Sequence, residues 1–212
     1  MNTESHQTKN VITSIADTKI LSDSLHSKLT RESIKLLDLE KKNRVLELGH
    51  GCCDHLNFLM EQAIELKYFG MEVSENIVQE ASVINKTYID EAKALFQVYD
   101  GENIPYVQNM FDRILSINTI YYWKNPLEYI NELFRSLKPG GKCVVSFSDT
   151  TFLEQLPILE DKNVYSFYDL ESFNQIIESS DFKMHEVSET ADGFIVAVLK
   201  KKERPRYYQW ER

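Results

Sequence analysis

The run Glu47-Leu48-Gly49-His50-Gly51-Cys52-Cys53-Asp54 places two glycines in alternate positions directly behind a short apolar stretch. Glycines so spaced let a backbone turn tightly and approach a ligand where any Cβ would collide. Further on, Gly70-Met71-Glu72-Val73-Ser74 brings an acidic side chain about 20 residues beyond the glycines. A carboxylate at that position accepts two hydrogen bonds from a ribose diol, the geometry of dinucleotide-binding folds. Asp100-Gly101 offers another acidic acceptor, suited to an exocyclic amine, and Ser116-Ile117-Asn118-Thr119-Ile120-Tyr121-Tyr122-Trp123 is polar and aromatic together. Rings there can pack on a planar base or face a cation.

Groups able to take a proton stand beside these motifs. His50 and His55 lie at or near the glycine turn and Tyr121 follows Asn118; of these types, histidine is best matched to neutral pH. His50, Cys52, Cys53 and His55 are all metal-ligating types, but their spacing fits no zinc pattern and an ion would disturb the turn, so no metal is expected. A nicotinamide fingerprint, G-x-G-x-x-G, is also disfavoured, because Asp54 stands where its last glycine belongs.

The elements that must carry these residues follow from periodicity. Arg44 to Leu48 reads as a buried strand, and Leu56, Leu59, Met60, Ala63 and Ile64 recur on one face of a helix. The same alternation continues with a strand over 66–73, Ser74 as helix N-cap, and Ile77, Ala81, Ile84 and Tyr88 as the next helix face. Further strands are predicted over 95–99, 111–117 and 143–147. Asn125-Pro126 opens the helix before the last of these, whose buried stripe is Leu127, Ile130, Phe134 and Leu137, and Pro139-Gly140-Gly141 closes it. Strands alternating with helices imply a mostly parallel sheet covered on both faces, an α/β doubly wound architecture. A helix over Leu170 to Ile177 then precedes strands over 182–189 and 194–199 that flank Asp192-Gly193, a strong hairpin signal. Residues 1–43 read as an N-terminal helical cap, 44–200 as the main domain, and 201–212 as a basic tail.

With these motifs in order, the chain resembles the class I S-adenosylmethionine-dependent methyltransferases. The resemblance rests on Val45-Leu46-Glu47-Leu48-Gly49-His50-Gly51, Gly70-Met71-Glu72-Val73-Ser74, Phe111-Asp112-Arg113-Ile114 and Leu137-Lys138-Pro139-Gly140-Gly141, and it spans about residues 40–200. It implies a Rossmann-like seven-stranded sheet in the order 3-2-1-4-5-7-6 with strand 7 antiparallel. It also implies S-adenosyl-L-methionine as cofactor, S-adenosyl-L-homocysteine as product, and a role for each matching residue. Glu47 matches an acid that helps hold the methionine end of the cofactor and its loop, and Gly49 and Gly51 pass under the adenosyl moiety. Glu72 takes the ribose diol with Met71 or Val73 beside adenine, Asp100 with Gly101 takes the adenine amine, and Asn118 meets the cofactor's amino-acid part. Cys53 departs from the family, which commonly has a third glycine or another small residue there.

Composition bounds the partners. The 212 residues carry a formal charge of −9, and Lys200 to Arg212 holds six basic and two acidic residues, which leaves about −13 on the rest. So acidic a body disfavours nucleic acid as a substrate, and no Asn-Pro-Pro-Tyr, the resemblance's pattern for base amines, follows the fourth strand. Tyr121, Tyr122, Trp123, Phe152, Tyr165, Phe167 and Tyr168 instead suggest a small acceptor, partly apolar or aromatic, under a lid formed by residues 148–168. The expected activity is methyl transfer to such a molecule. The alternatives are a non-catalytic scaffolding protein of the same fold, or transfer to a protein or nucleic acid. Three cysteines form no evident disulfide framework, and nothing reads as a leader or a membrane span, so a cytoplasmic location is expected.

Overall fold

The computed structural model describes residues 15–149 and 166–203. Helix α1 (Ile15–Leu36) leads into β1 (Arg44–Leu48), α2 (Leu56–Met60), β2 (Lys67–Glu72), α3 (Glu75–Ile84), α4 (Lys86–Asp90), β3 (Ala94–Val98) and β4 (Phe111–Ile117). A short 3₁₀ turn (Ile120–Tyr122) precedes α5 (Pro126–Ser136), β5 (Leu137–Ser148), α6 (Leu170–Ser179), β6 (Met184–Glu189) and β7 (Phe194–Lys200). The strands form one seven-stranded sheet in the order β3-β2-β1-β4-β5-β7-β6. β1 lies parallel to β2 and β4, β2 to β3, and β4 to β5, while β7 runs antiparallel to both β5 and β6.

The side-chain period of two sorts each central strand between two cores. Leu46, Leu48, Ile114, Cys143, Val145, Phe147, Ile195 and Ala197 face α5 and α6, where Ile130, Leu133, Phe173 and Ile177 meet them. Their neighbours Val45, Leu115, Val144, Phe194 and Val196 face the opposite layer, built from Leu29, Ile34 and Leu37 of the first helical segment with Leu56, Leu59 and Ala81. Near-continuous burial of β1 and β4 reflects helices on both faces, whereas β6, at the sheet edge, is exposed along most of its length.

Helix α1 is fixed to the sheet by polar contacts as well as packing. Ser33 Oγ lies 2.7 Å from Ser146 Oγ in a buried pair. Arg113, almost fully buried, donates from Nε to Leu37 O at 2.7 Å and from Nη2 to Asp38 O at 2.9 Å. The guanidinium thus satisfies carbonyls that the helix end leaves orphaned.

Several local expectations need correction. The helix predicted through Ile64 ends at Met60, and Ile64 is 64% exposed. The predicted face Ile77 to Tyr88 is interrupted at Asn85, whose side chain donates to Ala81 O and Cys53 O and closes α3 before α4 begins. Ser74 is the N-cap residue of α3, but its hydroxyl makes no capping bond. The helix before Pro139-Gly140-Gly141 ends at Ser136 instead, and the glycines lie within β5 at a register shift against β4. Asn125 does cap α5, accepting from Glu128 N, with Pro126 behind it. The hairpin closes as expected, with Thr190 N donating to Phe194 O and Gly193 at φ +76°. Among the described residues no helix is long and apolar enough to cross a membrane.

Candidate active site

In an open parallel sheet, ligands bind beyond the carboxyl ends of the strands where strand order reverses. Here β1 has β2 on one side and β4 on the other, and a cleft of about 460 Å³ opens beyond their ends. Gly49, Glu72, Val73, Asp100, Asn118 and Tyr122 are among the residues that line it, and its volume falls within the range of small-molecule sites.

The floor depends on the absence of a side chain. Gly49 sits at φ +69° and donates its N–H to Met71 O at 2.8 Å, and a Cβ there would stand 2.3 Å from Thr119 Cγ2. Gly51, at φ +55°, turns its N–H toward Glu72 Oε2 at 3.4 Å. Glu72 Oε1 also accepts from Val73 N at 2.7 Å and Ser74 N at 3.4 Å. These bonds aim the carboxylate at the cleft, and its two oxygens, with about four lone-pair directions between them, keep capacity for a ligand.

Glu47 lies beneath this floor. Its carboxylate is buried, and Oε2 accepts from Tyr68 OH at 2.6 Å and from His55 Nε2 at 2.9 Å. Burial alone would raise the Glu47 pKa, but the His55 charge and both hydrogen bonds hold it below the ordinary carboxylate value. Burial likewise opposes charge on His55, and the Glu47 carboxylate overrides it, pushing the imidazole up to about 11. His55 is therefore a cation at neutral pH with no vacant lone pair, which corrects the expectation that it takes a proton. Cys53 completes the cluster, with Sγ 3.1 Å from Tyr68 OH. It adopts φ +55°, the conformation that glycine takes without strain. Its backbone is held there by Cys53 N donating to His50 O and by Asn85 Nδ2 donating to Cys53 O. Glu47, Cys53 and His55 present ligand atoms close together, but the hydrogen bonds already satisfy them as an ion-pair network.

The other expected residues divide between cleft and core. His50 is buried against Phe96, its Nδ1 2.6 Å from Gly51 O, and burial lowers its pKa so that the ring is neutral. It does not line the cleft. Met71 is fully buried in the α5–α6 core, and Val73 is the neighbour of Glu72 that reaches the cleft. Asp100 lines the cleft, but Asn103 Nδ2, Asn103 N and Glu102 N all donate to it, holding it at about 2. Gly101 follows at φ +81°.

Asn118 stands at φ +53°, its Oδ1 accepting from Ser148 N at 3.2 Å and Tyr121 OH at 3.3 Å. The Tyr121 hydroxyl accepts from Ser148 N at 2.8 Å and donates to Ser148 O at 3.0 Å, and burial raises its pKa. Tyr121 thus works as a brace between β4 and β5 and not as a base, a second correction. Trp123 is buried against Tyr129, and Tyr122 is 62% exposed at the cleft. Phe152, Tyr165 and most of the expected lid lie outside the described residues, as do 204–212 of the basic tail.

Comparison with known proteins then bears on what this cleft holds. A family model described as "Methyltransferase domain" matches residues 46–145, from β1 to β5. The chain has a Rossmann-like methyltransferase fold. Over 169 residues it is 27% identical to phosphoethanolamine N-methyltransferase 1 of Triticum aestivum, covering 78% of this chain and 33% of that protein. The chain thus spans about a third of the length of the first curated relatives it matches. A chain of the complex between the Haloferax volcanii Trm112 methyltransferase activator and a methyltransferase superposes with a TM-score of 0.75 at 18% identity, covering 91% of this chain and 96% of that one. A SAM-dependent methyltransferase from Aquifex aeolicus superposes with a TM-score of 0.67 at 20% identity over 88% and 98% of the two chains.

The residues around this cleft fit an adenosyl ligand. Glu72 presents a carboxylate to the cleft, Val73 and Ile77 add apolar wall, and Gly49 lines it without a Cβ, whose place the Thr119 methyl takes. Two participants were missed in the sequence reading. Thr119, whose methyl sets the limit on Gly49, carries no motif signal of its own. His26 on α1 places Nδ1 3.2 Å from Asn118 Nδ2; 92 residues separate the two, and no local spacing links them.

Proposed function

We propose that this chain transfers the methyl group of S-adenosylmethionine to a small, partly apolar or aromatic acceptor, releasing S-adenosylhomocysteine. The reading is carried by the convergence of Gly49, Glu72, Asp100 and Asn118 from four strand ends on one cleft. When bound, the cofactor supplies a methyl group on a positively charged sulfur, a leaving group already activated. Glu72 holds the ribose hydroxyls, the turn carrying Gly49 and Gly51 passes under the adenosyl moiety, and Asp100 and Gly101 mark the adenine end. Glu47 acts from beneath the floor, holding the glycine turn through His55 and Tyr68. Residues 1–43 are assigned as an N-terminal helical cap and 44–200 as the catalytic domain.

In-line displacement from such a leaving group depends mainly on holding the nucleophile close and aligned. The described residues suit that requirement, since His55 and Tyr121 are engaged elsewhere and His50 lies behind the loop. A phosphorylated amine like that named in the wheat relative is not favoured. Glu72, Asp100 and Glu102 line the cleft, and its lysine, Lys124, is already paired with Glu102. A like-charged phosphate would meet repulsion there. The experiment is a screen of small amines, phenols and carboxylic acids for S-adenosylhomocysteine release. Turnover of an uncharged or cationic aromatic acceptor supports the reading. Binding of the cofactor without turnover of any member favours a scaffolding role or a macromolecular acceptor.

A further inference from the structure

We propose, building on the cofactor reading above, that His50 is a positioning residue for S-adenosylmethionine: its Nδ1–H holds the Gly51 carbonyl and so keeps the glycine turn in place against the ribose-binding carboxylate of Glu72. Gly51 sits at φ +55°, and a Cβ on it would meet nothing within 4 Å. Packing on that side therefore does not fix it, glycine has the freest backbone of any residue type, and hydrogen bonds carry the task. The Gly51 N–H reaches Glu72 Oε2 at 3.4 Å, a long bond, whereas the Gly51 carbonyl lies 2.6 Å from His50 Nδ1. Opposite a carbonyl the ring nitrogen is the donor, so the neutral imidazole carries its hydrogen on Nδ1 and a lone pair on Nε2.

The imidazole is itself fixed. It is buried, edge-on to Phe96 at a centroid distance of 5.0 Å. Gly70 of β2 makes room for it, since a Cβ there would stand 2.8 Å from His50 Cδ2 and 2.9 Å from Phe96 Cδ1. The ring thus packs against the strand that carries Glu72, on the same β2 face as Gly70. The main chain of His50 is tied as well, its carbonyl accepting from Cys53 N at 3.1 Å. Nε2 is buried with no hydrogen-bond partner among the described residues, a cost that an apolar side chain of similar volume would avoid. What a histidine offers here and a leucine does not is the Nδ1–H bond to Gly51.

The test has two arms. Near neutral pH, ¹⁵N-imidazole NMR of the 212-residue chain should show His50 as the Nδ1–H tautomer; the Nε2–H tautomer overturns the proposal, and this arm needs no variant to fold. The second arm measures S-adenosylhomocysteine affinity by calorimetry and stability by urea unfolding. His50→Leu should bind about two- to tenfold more weakly, the loss of one hydrogen bond that preorganises the turn. His50→Asn, whose side-chain NH₂ stands in for Nδ1–H, should regain most of that affinity. His50→Leu orphans no polar side-chain atom, so it should be at least as stable as His50→Asn, and affinity should run opposite to stability. Affinity that follows stability overturns the proposal. If the unaltered chain binds no S-adenosylhomocysteine, the proposal falls with the cofactor reading; if it binds and His50→Leu binds equally well, the proposal alone falls.

Discussion

Replacing His55 by glutamine should change how stability depends on pH, because it removes the charge that Glu47 needs under the glycine turn. The imidazole is held at about 11 in the folded chain against its ordinary 6.5. A raised value means that the contribution is complete below about pH 6.5 and is lost as pH rises through the folded value. Between about pH 7 and about pH 8.5 the folded state keeps a proton that the unfolded state has released. The slope there is about −1.4 kcal/mol per pH unit, so this group alone costs about 2 kcal/mol over the interval. Glu47, lowered from 4.5, contributes stability that is lost only as pH falls through its folded value, outside this window. The buried Cys53 thiol, raised from 9.0, adds its own loss mainly above it. Urea unfolding at the two pH values should show the 2 kcal/mol difference in the unaltered protein and little of it in His55→Gln, which should also be less stable at pH 7 by about 3–5 kcal/mol because Glu47 stays buried without its partner. The Glu47→Gln/His55→Gln pair should recover part of that loss. Parallel pH slopes in the unaltered protein and His55→Gln would refute a charged His55.

Two other perturbations read the floor of the cleft and the anchoring of α1. Gly49→Ala forces a Cβ to 2.3 Å from Thr119 Cγ2 at a positive φ; cofactor affinity measured by calorimetry should collapse, and Thr119→Ser, which removes the offending methyl, should recover part of it, leaving the residual backbone cost of about 1–2 kcal/mol. Arg113→Met keeps the buried stem but removes the donors to Leu37 O and Asp38 O, and chemical unfolding should show a loss of about 1.5–3 kcal/mol.

Local chemistry made much of this molecule legible in its sequence. The alternation of buried strands with helices foretold the doubly wound sheet, because residues such as Val45 and Leu46 must bury opposite faces. The positions of Gly49, Glu72, Asp100 and Asn118 follow for the same reason, since strand ends of a parallel sheet share one edge. Long-range events were not legible. Burial of Glu47 turned His55 from a proton acceptor into a fixed cation, and no spacing announces that Tyr68 joins them from the next strand. Asn85 broke a helical face that periodicity alone continued, by bonding the Cys53 carbonyl across the turn. Met71 and Val73 have the same alternation, but the strand ends at Glu72, so only Val73 reaches the cleft. His26 meets Asn118 through the docking of α1, which tertiary packing alone determines.

Calorimetric titration of the 212-residue chain with S-adenosylmethionine, beside Glu72→Ala, tests the cleft as the cofactor site. The expected result is saturable binding that Glu72→Ala weakens by about 1.5–3 kcal/mol, the value of hydrogen bonds to a charged group. No binding to a folded sample, or equal affinity in the two proteins, would contradict it.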